Sequence, residues 1–238
     1  MENVRKQFNT ASRFIIKREK KEKLTREFSR REEVVHALTH GLGAALGVVG
    51  LVLLMSRVAG MGAVSIGAAL IYGISFILLF TASAVYHTSC AIFPASANSP
   101  IRNICMKCDH SMIYILIWGT YTPACAAMGG AIGIVLFSIV SVCAIVGIIL
   151  NVIDVKRFER VSMLLYIVAG WTIVVAGYPF IKAIGSRGFL LLAAGGVLYT
   201  VGIIFYKLKR IPNMHVLWHL FVLAGAAAHY MMVYFYCF

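Results

Sequence analysis

Seven stretches of the chain run apolar for about the length that crosses a bilayer, near residues 34–56, 64–87, 109–128, 131–150, 161–181, 188–206 and 214–236. The breaks between them are short and rich in chain-turning residues: Gly60 and Gly62, Pro94 to Pro100, Gly129 and Gly130, Asn151 to Arg160, Gly185 to Gly188, and Lys207 to Pro212. Short breaks predict sequentially adjacent, antiparallel helices. No internal repeat and no inserted soluble domain interrupts the series. The expected fold is an all-α membrane protein: a polar arm over 1–32, then a domain of seven transmembrane helices over 33–238.

Composition agrees. Hydrophobic residues make up 61% of the chain and charged residues 13%, far from the half-apolar, quarter-charged balance of a soluble domain. The charges are unevenly placed. Eleven of the 22 Lys and Arg fall in the first 32 residues against five acids, a net +6. Such an arm is expected to face the cytosol and lie on anionic headgroups. About 30 mostly polar residues precede the first apolar run and no small-residue cleavage site follows a short one, so the first helix is expected to stay as an anchor. Basicity of this kind does not indicate nucleic acid, because it belongs to a membrane-flanking arm and no soluble domain carries a groove.

Loop charges set an orientation, since cytoplasmic loops keep Lys and Arg. With the N-terminus inside, 19 basic residues lie on the cytoplasmic side and only Arg57, Lys182 and Arg187 lie outside. The expected topology is N-terminus cytoplasmic, C-terminus outside, in the cell (inner, cytoplasmic) membrane.

That topology gathers the candidate chemistry. The second helix would end at His87 where the first, third and seventh begin, at His36/His40, Asp109/His110 and His215/His219. Ionisable groups in lipid are costly, so a shared depth argues for a shared interior site. His215 and His219 are four apart on one helical face. With His87 they would supply three imidazoles, the pattern of a catalytic zinc whose fourth position is left to water. Ser83 lies one turn from His87 on the same face, and Asp109 could accept a hydrogen bond from bound water or from a ligand imidazole. Glu33, His36 and His40 form one stripe of the first helix, which makes Glu33 and His40 candidates to stand behind the ligands. His229, ten residues past His219, would be about 15 Å deeper and belongs to packing. The six cysteines read as small core residues rather than a disulfide framework. The CxxC of Cys105 and Cys108 is a weak motif for metal, and Asp154 beside Lys156 and Arg157 is expected to be a solvated charge.

The segments EEVVHALTHGLG, SAVYH, CDHSMIY, GWTIVVAGYP and HVLWHLFVLAGAAAHY resemble the bacterial hemolysin III family, a branch of the progestin and adipoQ receptor group that includes the adiponectin receptors. The resemblance covers the chain from about Glu32 onward. It implies seven helices with the N-terminus inside, a Zn2+ held by His87, His215 and His219, Asp109 bonded to the zinc water and Ser83 beside it. Hemolysin III-like sequences usually carry Asn where His36 stands, so the resemblance gives His36 no ligand role. The function it implies is metal-dependent hydrolysis of an amide or ester bond in a membrane lipid, as a ceramidase-like enzyme. A regulator or sensor of membrane state with structural zinc, or a pore-forming cytolysin, are the alternatives.

Overall fold

A computed structural model describes residues 27–93, 99–208 and 210–238. Most of the basic arm, the segment 94–98 and Lys209 lie outside the described residues. Helix α1 runs Arg30–Arg57. Its start is a capping box: the Ser29 hydroxyl accepts the Glu32 N–H at 3.2 Å, and the Glu32 carboxylate accepts the Ser29 N–H at 2.9 Å. Helix α2 is Ala63–Ile92 and α3 is Pro100–Met128. Helix α3 begins nine residues before the expected position 109. Ser99 caps it by accepting the Arg102 N–H, and Pro100 takes the first turn, where a missing N–H costs nothing. Helix α4 is Gly130–Trp171, a 3-10 turn Thr172–Ala176 follows, α5 is Gly177–Lys207, and α6 is Met214–Met232, ending in a π turn Val233–Cys237. Among the described residues there is no strand.

From Gly130 to Lys207 the chain is helical over 78 residues, the turn at Thr172–Ala176 included, apart from a kink at each of two residues. Counting that stretch once, the described residues form five helical stretches where seven apolar runs were read, and the two kinks fall at breaks marked in the sequence, Asn151 to Arg160 and Gly185 to Gly188. Two residues inside the long stretch leave helical geometry. Asp154 is extended (φ −162°, ψ 102°), and its Oδ1 accepts the Arg157 N–H at 3.0 Å, so it caps a new rod rather than standing as an idle solvated charge. Gly185 has φ +74° and ψ 166°, a region essentially closed to side chains. Buried polar contacts close the turn at Asp154. Ser162 Oγ donates to Asn151 Oδ1 at 2.9 Å, and Tyr114 of α3 donates to the Ser162 carbonyl at 3.1 Å. Tyr121 ties α3 to the 3-10 turn, donating to the Ala169 carbonyl and accepting the Ile173 N–H, each at 2.8 Å.

Among the described residues four stretches are long and apolar enough to cross a membrane: Arg30–Arg57, Ala63–Ile92, Gly130–Lys207 and Met214–Cys237. Their outer faces are apolar: Val64 is 73%, Ile134 70% and Val175 89% exposed. Such a surface would aggregate in water and is the ordinary outer face of a protein in lipid. The core is built from Tyr72, Phe76, Phe80, Tyr121, Phe180 and Met232, among others. Close approach of α1 to α2 depends on Gly43, where a Cβ would come 2.5 Å from the Phe80 ring.

Helices α1 and α6 run parallel and are tied at both ends. Arg57 donates to the Phe238 carbonyl at 3.0 Å, and Glu32 Oε1 accepts the Asn213 N–H at 3.3 Å. Asn213 is left-handed (φ +63°), turning the chain sharply into α6. The starts of α1 and α6 and the end of α2 therefore meet at one end of the bundle.

Candidate metal centre

Five histidines converge at that end: His36 and His40 from α1, His87 from α2, His215 and His219 from α6. His36 is 0%, His219 1%, His87 2%, His40 3% and His215 9% exposed. The rings of His36, His87, His215 and His219 all lie within 5.4 Å of one another, centroid to centroid. One ring nitrogen each from His36, His87 and His215 falls within 4.8 Å of the other two. These three side chains are close enough to hold one metal ion.

Helix α1 orients the imidazoles brought by the other two helices. Glu33 Oε2 accepts a hydrogen bond from His87 Nδ1 at 2.6 Å, inside the bundle. A carboxylate accepts only, so Nδ1 carries the proton and Nε2 keeps its lone pair for a ligand role. Thr39 does the same for His219 with its hydroxyl. That hydroxyl lies 2.8 Å from the His36 carbonyl and 3.0 Å from the Val35 carbonyl; with its one proton donated to either, a lone pair is left to accept His219 Nδ1–H at 3.2 Å. His219 Nε2 is then its unprotonated nitrogen. His36 differs from both: neither of its ring nitrogens has a hydrogen-bond partner, although Nδ1 approaches the Glu33 carboxylate at 3.5 Å. His40 stacks on His219 at 3.7 Å with an interplanar angle of 20° and meets Phe80 edge-on. Phe28, just before α1, stacks on His215 at 4.8 Å and meets His36 edge-on at 5.0 Å, so an apolar ring covers the cluster.

Buried imidazoles with their outer nitrogens held by a carboxylate and a hydroxyl are the arrangement by which proteins fix metal-ligating histidines. The model of the Haemolysin-III related family matches residues 28–230. The chain belongs to the haemolysin-III-related family. It is 39% identical over 212 residues to the Hemolysin-3 homolog of Bacillus subtilis (strain 168), covering 88% of this chain and 96% of that protein. It is 40% identical over 220 residues to Hemolysin-3 of Bacillus cereus, covering 90% and 96%. A more distant similarity, 28% over 164 residues and about two thirds of each chain, links it to the human Monocyte to macrophage differentiation factor.

In this haemolysin-III-related chain the rings of His87, His215 and His219 share one cluster, but the three ligand atoms close to one another are those of His36, His87 and His215: His36, which the family pattern left aside, joins the group and His219 does not. Ser83 is buried one turn from His87. Asp109 sits ten residues into α3, and its nearest recorded charged neighbour is His110 Nδ1 at 3.6 Å. It lies within electrostatic reach of Tyr86, beside His87, but does not join the group of ligand atoms. Glu33 is the carboxylate within the cluster. His110 itself turns to the Met106 carbonyl at 3.0 Å. His229 bonds the Leu192 carbonyl at 3.1 Å, a packing contact between α6 and α5. Cys105 and Cys108 are free thiols, Cys108 exposed.

Three contributors were not read from sequence. Thr39 was legible in principle, six residues after Glu33 and beside His40. The Ser29-x-x-Glu32 box is a recognisable helix start, although nothing in it announces that Glu32 also holds the start of α6. Phe28 carries no local signal, because its role depends on the return of α6.

Proposed function

We propose that the protein is a zinc-binding integral membrane protein of the haemolysin III type, and that it hydrolyses an amide or ester bond of a membrane lipid. The observation that carries the reading is the buried imidazole cluster with Glu33 and Thr39 fixing two of its tautomers. The donor set fits zinc: neutral nitrogen ligands, a dry apolar surround and one carboxylate behind them. His36 is fully buried, with Nδ1 3.5 Å from the Glu33 carboxylate, and an ion would take its other nitrogen.

When bound, zinc would polarise a carbonyl and lower the pKa of water at its open position. His87, His215 and His219 would hold it. Glu33 orients His87 and balances charge. Asp109, near Tyr86, is assigned the proton transfers, and Ser83 a hydrogen bond to the developing oxyanion. A groove of about 440 Å³ opens between α1, α2 and α3, lined by Gly41, Ala44, Thr81, Ala84, Val85 and Ile101 among others; it suits an acyl chain entering from the lipid.

We read seven membrane passes, with the long stretch divided at Asp154 and Gly185 into rods of crossing length, the N-terminus cytoplasmic and the C-terminus outside. Loop charge supports that orientation, and the parallel course of α1 and α6 agrees with termini on opposite sides. The arm over 1–32 would lie on anionic headgroups.

The test is hydrolysis of fluorescent ceramide and acyl-ester lipids in liposomes holding the zinc-loaded protein. Release of fatty acid by wild type, lost in Asp109→Ala with zinc retained, is the expected result. Zinc-loaded protein that releases nothing from either class contradicts the hydrolase. A structural zinc that clamps α1, α2 and α6 in a sensor of membrane state is the second reading, favoured by the presence of His36 among the ligands. Dye leakage from the same liposomes would instead indicate a pore.

A further inference from the structure

We propose that the groove between α1, α2 and α3 is a binding site for a phospholipid of the adjoining leaflet, with one acyl chain along the groove and the phosphate on Arg102. The site rests on the groove taking a lipid chain and depends neither on metal in the histidine cluster nor on hydrolysis. Length points to the chain. Along α2 the lining runs from Thr81 to Phe93, a rise of about 18 Å at the helical pitch. Half of a hydrocarbon core of about 30 Å is about 15 Å. The groove is therefore as long as one leaflet is deep. Its walls are small or apolar, with Ala44 from α1, Ala84, Val85 and Ile92 from α2, and Ile101 from α3. Val85, Ile92 and Ile101 are exposed, so the groove opens outward to lipid. Thr88, which also lines it, turns its hydroxyl back to the Ala84 carbonyl at 2.8 Å and makes no polar demand on an occupant.

Charge points to the headgroup. Arg102 stands half-buried in the first turn of α3, next to the groove-lining Ile101. Its guanidinium meets the thiol of Cys90, the residue after the groove-lining Ser89. A thiol is a neutral partner. Among the described residues no carboxylate comes within ion-pairing distance of Arg102, and the first turn of α3 carries no acidic side chain. Glu33 lies within its electrostatic reach, yet that carboxylate is engaged by His87 at 2.6 Å. The guanidinium thus keeps its charge and free donors, and phosphate oxygens are the acceptors that match a guanidinium two at a time.

Position joins the two ends. Helix α2 ends at Ile92 and α3 begins at Pro100, so Arg102 lies where helices leave the hydrocarbon and headgroups begin. A phosphate held there sends its acyl chain down the groove toward Thr81. A lipid lacking the phosphate would fill the same groove but leave Arg102 without its partner.

The experiment uses the full chain purified in detergent, with native mass spectrometry counting retained lipid during titration with dioleoylphosphatidylglycerol or dioleoylglycerol. The two share their acyl chains and differ in the phosphate headgroup. Wild type should retain one phosphatidylglycerol and hold dioleoylglycerol at least about tenfold more weakly, the loss expected for hydrogen bonds to a charged group. Arg102→Gln should lower phosphatidylglycerol binding to the dioleoylglycerol level. Lys156→Gln, at an exposed basic residue outside the groove's lining, should match wild type. Gly41 lines the groove where a Cβ meets nothing within 4 Å, so Gly41→Leu should fill the groove and weaken both lipids. Phosphatidylglycerol held equally by wild type and Arg102→Gln, or no more tightly than dioleoylglycerol, overturns the proposal. An equal loss in Lys156→Gln also overturns it, since diffuse charge would then explain the binding. Should Arg102→Gln fail to fold, the wild-type comparison of the two lipids and the Gly41→Leu result decide the matter. A chain that binds the phospholipid and hydrolyses no lipid contradicts the hydrolase and leaves this site standing.

Discussion

Replacing Glu33 separates the charge of the carboxylate from its hydrogen bond. Glu33 Oε2 lies 2.6 Å from His87 Nδ1 and 3.5 Å from His36 Nδ1, and the His87 and Glu33 side chains are 2% and 6% exposed. Glu33→Gln keeps an oxygen to accept the His87 proton but removes the charge. A hydrogen bond to a charged group contributes about 1.5–3 kcal/mol against about 0.5–1.5 for a neutral one. The difference, about 1–1.5 kcal/mol, corresponds to roughly a tenfold loss of metal affinity. Glu33→Ala also strands the His87 N–H, and its loss should approach the upper end of the roughly 10–100-fold range for partners of metal-ligating histidines. The assay is zinc competition against a chromophoric chelator, with exposed Glu27→Gln as a control expected to match wild type. If both Glu33 variants are well folded and bind zinc within about twofold of wild type, α1 does not orient the site and the reasoning fails.

Thr39→Val removes the acceptor at His219 Nδ1 and should weaken zinc binding by roughly tenfold, with Thr39→Ser restoring it; unchanged affinity in the chelator competition would count against the tautomer argument. Gly147→Ala would bring a Cβ within 1.9 Å of the buried Tyr114 ring and should destabilise the α3–α4 contact by about 1–3 kcal/mol, read as a lower midpoint of thermal aggregation in detergent. Tyr121→Phe strands the Ile173 N–H and loses the bond to the Ala169 carbonyl, at a cost of about 1–3 kcal/mol by the same readout.

Much of this architecture was legible in the sequence, because lipid demands apolar runs of fixed length and tolerates buried imidazoles only where they converge. The His215–His219 spacing and the placement of His87 near a helix end brought these three histidines to one end of the bundle on paper, where the structure also gathers their rings. What sequence could not show depended on the third dimension. The start of α3 at Pro100 was hidden because the apolar signal begins later than the Ser99 cap. Asp109 lies in the third turn of α3, and the carboxylate beside His87 is Glu33, which shares a helical stripe with His36. The kinks at Asp154 and Gly185 fall at breaks the sequence marks, whereas the 3-10 turn Thr172–Ala176 lies inside an apolar run and carries no such mark.

The central claim is that the histidine cluster holds a metal ion, and elemental analysis of the purified chain tests it most directly. Wild type should carry one zinc per chain, and the double variant His87→Ala/His219→Ala should carry almost none while remaining monodisperse. Wild type purified without chelator that holds no stoichiometric zinc, and takes none up when it is supplied, would contradict the account.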